Sequence, residues 1–115
     1  MLSRALVGVA LVLVSPAAFA APEPKAATSA PPEAKKLEAA FAVQAEGLIA
    51  GGADVLLIET CQDPLQIKAA INGARRIFAS GGRTVPLFVQ VTIETTGAML
   101  VGTDIGAAGV IVDAM

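Results

Sequence analysis

The stretch GADVLLIETCQDPLQ, residues 52–66, constrains the fold more than any other part of the chain. An unbroken apolar run as short as 55–58 is expected of a parallel strand covered on both faces. The signals that follow it belong to a helix start. Asp63 can cap the N-terminus, Pro64 suits the first helical position, and Gln66 stands where a capping box needs it. A strand therefore hands over to a helix within a few residues, with 59–63 expected as the loop between them.

The flanking segments extend the pattern. Pro32 can open an earlier helix in which Leu37, Phe41, Ala45 and Leu48 recur at helical spacing, and Gly51-Gly52 closes it. After Pro64, the residues Ile67, Ala70, Ile71, Ala74, Ile77 and Phe78 form an apolar stripe. Lys68, Asn72, Arg75 and Arg76 are expected on the wet side, and Ser80-Gly81-Gly82 as the stop. Residues 85–93, VPLFVQVTI, read as a second buried strand. Helix, strand, helix, strand makes one βαβ unit with a parallel, right-handed connection, so the class is α/β. Two strands are too few to close a barrel or complete a doubly wound sheet, and their outer edges would stand unpaired. The pattern is that of part of a larger fold.

Upstream, residues 1–20 have the layout of a secretory signal: Arg4, an apolar core over 5–14, Ser15-Pro16, and the small-x-small site AFA at 18–20. The other reading of this segment is an amphipathic or buried helix. Its apolar core is too short for a stable membrane span. Residues 21–33, rich in Pro and Ala, read as a linker, leaving 34–115 to carry the fold.

Composition removes several function classes. At 115 residues the chain holds one small domain at most. A net charge of −2 and no Trp or Tyr argue against a nucleic-acid surface. One Cys and no His exclude an intrachain disulfide, Ser–His and Cys–His catalysis, and any ordinary zinc site. Glycines at 102, 106 and 109 do not make the dinucleotide fingerprint.

What remains is carboxylate and hydroxyl chemistry at strand ends. In parallel α/β folds ligands gather at the C-terminal ends of the strands. Glu59-Thr60 follow the first strand and Glu94-Thr95 the second, with Thr92 beside them, as two equivalent Glu-Thr pairs. A carboxylate there can hold an ammonium group, and hydroxyls and loop amides can hold a carboxylate, a combination suited to an amino acid. Glu59 has two available roles, ligand contact or loop salt bridge. Thr92, Glu94 and Thr95 can line a pocket, although threonines are common at strand ends. Asp63 reads as a helix cap. Cys61 reads as a buried thiol, since nothing near it in sequence lowers its pKa.

The segments QAEGLIAGGADVLLIETCQDPLQIKAAINGARRIF and VPLFVQVTIETTGAMLVGTDIGAA closely resemble the homocysteine-binding domain of cobalamin-dependent methionine synthases, over about residues 42–108. The resemblance implies part of a (β/α)8 TIM barrel, in which zinc holds homocysteine as a thiolate and methyl-cobalamin on a separate domain donates the methyl group. It also implies a cytoplasmic setting with cobalamin- and folate-binding domains as partners, against the export-like 1–20. Glu59 matches a carboxylate placed to contact the homocysteine amino group, with Thr60 and 92–97 on the same rim. The family's zinc ligands lie in Asn-Cys and Gly-Cys-Cys steps. Neither step occurs here, and Cys61 matches neither position.

The expectation is therefore a partial homocysteine S-methyltransferase domain with no catalytic or metal-ligating residue of its own, inactive alone. The alternatives are an exported, non-catalytic binding or structural remnant, or a chimeric or truncated reading frame.

Overall fold

The computed structural model describes residues 9–12 and 32–115. The rest of the export-like segment and nearly all of the linker fall outside the described residues. The elements alternate from the start: β1 (Val9–Val12), α1 (Pro32–Ala50), β2 (Val55–Cys61), α2 (Pro64–Ala79), β3 (Leu87–Val91) and α3 (Ile105–Asp113). The three strands form one parallel sheet in the order β1-β2-β3.

Three sequence expectations are corrected here. The first concerns the outer edge of β2, which is paired. Val9 to Val12 run beside Val55 to Ile58, so β2 is the central strand. The segment 9–12 is strand rather than helix, and cleavage after Ala20 would remove it. The second concerns β2 itself, which runs on to Cys61 and takes in Glu59 and Thr60, both expected in a loop. The third is β3, which is shorter than 85–93 and leaves Thr92 just beyond its end.

Helix ends follow the local chemistry. Asp63 has extended backbone and its carboxylate accepts the Leu65 N–H at 2.8 Å, with Pro64 at the first helical position. Among the described residues no reciprocal bond from Gln66 completes a capping box. Asp63→Ala removes the side-chain acceptor that caps that end and is expected to cost about 1 kcal/mol, read as a lowered urea midpoint with unchanged slope. At the other end of α1, Gly52 takes φ +92. Its N–H bonds to Ile49 O at 3.0 Å and that of Ala53 to Leu48 O at 3.0 Å, the paired bonds of a Schellman cap.

The core is one-sided. Phe41 of α1, Ile58 and Cys61 of β2, Ile67, Ala70 and Ile71 of α2, Met99 of the β3–α3 loop and Ala108 of α3 share one buried cluster. All three helices therefore pack on the same face of the sheet, as in a singly wound repeat of βα units. On the opposite face Phe88, in register with Leu57, is 58% exposed. Asn72 departs from the expected wet face. It is half-buried, and its amide donates to Glu38 Oε2 of α1 at 3.4 Å. At the N-terminal end of β2, Arg83 bonds the Asp54 carboxylate at 3.1 Å and the Ala53 carbonyl, tying the α2–β3 connection to the sheet.

Candidate functional site

The C-terminal end of β2 holds the sheet's main irregularity. Ile58 pairs with Val89 and Cys61 with Val91, so three steps along β2 match two along β3. One extra residue in a strand is a β-bulge. Thr60 absorbs it with φ +58, the only non-glycine residue with positive φ among those described. A β-branched residue there is strained, since its Cβ crowds the backbone. Ile58 and Cys61 both face the helix-side core, so two residues rather than one, Glu59 and Thr60, lie off that face.

Glu59 is half-buried, and its Oε2 is shielded from solvent without a hydrogen-bond partner. An orphaned carboxylate oxygen is costly unless a donor arrives. Thr92 is half-buried next to this end of β2, and its N–H bonds to Cys61 O at 2.9 Å. Glu59, Thr60 and Thr92 are thus brought together at the ends of two adjacent strands.

Glu94 and Thr95 are not equivalent to that first pair, a further correction. They are exposed in a turn beyond β3, closed by Gly97 N–H to Glu94 O at 2.9 Å. The physical reason is that β2 continues through its Glu-Thr step by bulging, whereas β3 ends at Val91 and the chain folds back. Glu94 N–H bonds Ala98 O at 2.8 Å, and Met99 N–H bonds Thr103 O at 2.7 Å. This hairpin-like loop delivers Asp104, whose carboxylate caps α3 by accepting the Ala107 N–H at 2.9 Å.

Cys61 is fully buried, with its S–H directed at Glu59 O 3.8 Å away. Burial, and secondarily the Asp63 carboxylate, push the thiol up to about 11, so it stays protonated at neutral pH. A buried, protonated sulfur is a poor nucleophile and a poor metal ligand. Among the described residues no three His, Cys, Asp or Glu side chains converge as a metal site. The donors present do not fit zinc. A shallow groove of about 330 Å³ runs between β3 and α3, lined by Val89, Val91, Ile105, Ala108 and Val112 with Asp113 at its edge. It contains none of the five strand-end candidates.

The bulge was missed in the sequence, yet a trace of it was there. Ile58-Glu59-Thr60-Cys61 reads apolar, polar, polar, apolar, which breaks the period of two a regular strand requires.

The chain is 56% identical over 69 residues to a methionine synthase of Mycobacterium leprae (strain TN), and 55% identical over 69 residues to one of Mycobacterium tuberculosis (strain ATCC 25618 / H37Rv). Each match covers 60% of this chain but only 6% of the relative's length. The family model for homocysteine S-methyltransferase matches residues 4–114, a span that reaches from before β1 to the end of α3. With nearly the whole chain matched, the protein belongs to the homocysteine S-methyltransferase family.

Proposed function

We propose that this chain supplies the amino-group-binding part of a homocysteine site in a methyltransferase of the methionine-synthase kind. Its βα units are then consecutive units of a (β/α)8 barrel. The sequential strand order and the one-sided helix layer support the barrel, because a doubly wound sheet places helices on both faces. Residues 34–115 form the partial homocysteine-binding unit, and β1 extends it upstream.

The observation that carries the site is the orphaned Glu59 Oε2 at the C-terminal end of β2. A protonated amine fits it by charge and by hydrogen-bonding capacity. Thr60 and Thr92 offer hydroxyls on the same rim, and Glu94 and Thr95 border it from the turn. Nothing among these residues activates sulfur. The chain recognises the amine end of the ligand and contributes no methyl transfer by itself, since the zinc donors of a thiolate site are absent from its sequence.

NMR titration of the full chain with three ligands tests this: L-homocysteine, L-homoserine, and 4-mercaptobutyrate, which keeps the thiol and carboxylate but lacks the amine. The first two are expected to bind comparably and the third not to bind. Glu59→Gln should weaken homocysteine by roughly 10- to 100-fold, the scale of a charge-assisted hydrogen bond. Equal binding of 4-mercaptobutyrate, or an unaffected Glu59→Gln variant, contradicts the assignment.

A further inference from the structure

We propose that Thr60 is a positioning residue, and that the left-handed turn it holds fixes the Glu59 carboxylate in its shielded, unpartnered position. The inference rests on the amine-site reading above, but its argument is separate. A regular strand needs one residue between Ile58 and Cys61 to keep both on the helix side; here there are two. The extra residue is therefore not required by the core. Removing it would restore the period of two and leave both buried side chains where they are. It is also held at φ +58 by a β-branched side chain, a conformation that glycine or asparagine would occupy more easily.

An unneeded residue in a strained conformation has its effect on what lies beside it. On one side is Glu59, whose oxygen is out of solvent and without a partner. On the other is Cys61, clamped by the Thr92 N–H to its carbonyl and by complete burial. With Cys61 fixed, the turn at Thr60 sets the direction of the Glu59 peptide, and the Cys61 S–H meets that peptide's oxygen. Bulges commonly re-aim a side chain in this way next to binding sites.

Thr60→Gly separates positioning from stability. Glycine accepts the left-handed backbone without strain but does not hold it, so the melting temperature should stay level or rise while Glu59 loosens. Two readouts follow Glu59. Solvent paramagnetic relaxation of its side-chain protons needs no ligand, and should at least double toward the value for exposed Glu94. The affinity for L-homocysteine should fall about threefold. Thr60→Val keeps the side-chain shape without the hydroxyl and should match wild type in the ligand-free relaxation, the readout that reports positioning alone. Deletion of Thr60 should leave the chain folded and the Glu59 relaxation altered. Unchanged relaxation in Thr60→Gly overturns the proposal, as does a loss of melting temperature in step with the relaxation change. If the relaxation responds but Glu59→Gln binds homocysteine as wild type does, the positioning role stands and the amine-site reading fails.

Discussion

Gly73→Val will destabilise the chain by about 3 kcal/mol, the upper end of what overpacking a close contact costs. Gly73 lies where α2 crosses α1. A Cβ at that position would sit 2.8 Å from Glu38 O, 2.9 Å from Ala42 N and 2.9 Å from Phe41 Cβ. Two of those atoms are backbone, so no rotamer change relieves the collision and the helices must part. Separation would unseat Phe41 from the main core cluster and stretch the Asn72–Glu38 bond one residue away. Helix propensity works in the opposite direction but is smaller, under about 1 kcal/mol for leaving glycine.

Gly47, in the last turn of α1, is the matched control, because nothing lies within 4 Å of its added Cβ. Gly47→Ala should stabilise by about 0.5–1 kcal/mol. Urea denaturation of the two variants therefore gives shifts of opposite sign. A Gly73→Val midpoint at or above wild type would mean that α1 and α2 do not meet at this crossing.

Legibility from sequence tracked the distance over which the signal acts. Caps and stops were plain because their chemistry is local: Asp63 and Pro64 at one end of α2, Gly52 at the end of α1. The apolar stripes of α1 and α2 were plain for the same reason. Two kinds of feature were not. Val9–Val12 pairs with β2 across more than forty residues, and an apolar segment of that composition suits an export signal as well as a buried strand. Asn72 looked like a surface residue on a helical wheel because its partner, Glu38, lies on another helix. At the site, Glu59 was singled out by its place after a buried strand. The non-equivalence of Glu94 was hidden because the two Glu-Thr steps are identical in sequence, and only the bulge, with its strained Thr60, tells them apart.

Between about pH 9 and pH 11 the chain should lose roughly 2 kcal/mol of stability through Cys61 alone. Burial, with a smaller contribution from Asp63, raises the folded thiol from 9.0 to about 11. The folded state therefore keeps its proton over a range in which the unfolded chain gives it up. Where the unfolded state binds fewer protons, stability falls as pH rises. The contribution is complete below the unfolded value and gone once pH passes the folded one. Cys61→Ala provides the comparison. It should be less stable at pH 7, because it opens a small void in the core, but it should lack this part of the alkaline slope. The difference between the two proteins isolates the contribution of the Cys61 thiol. Urea midpoints at half-unit steps from pH 7 to 11 should thus converge, with the wild-type advantage shrinking as the medium becomes alkaline. Parallel curves would show that the Cys61 thiol ionises in the folded chain as readily as in the unfolded one. In that case the sulfur beside Glu59 would be open to solvent and reagents, and Cys61 would have to be considered again as a reacting group of the site.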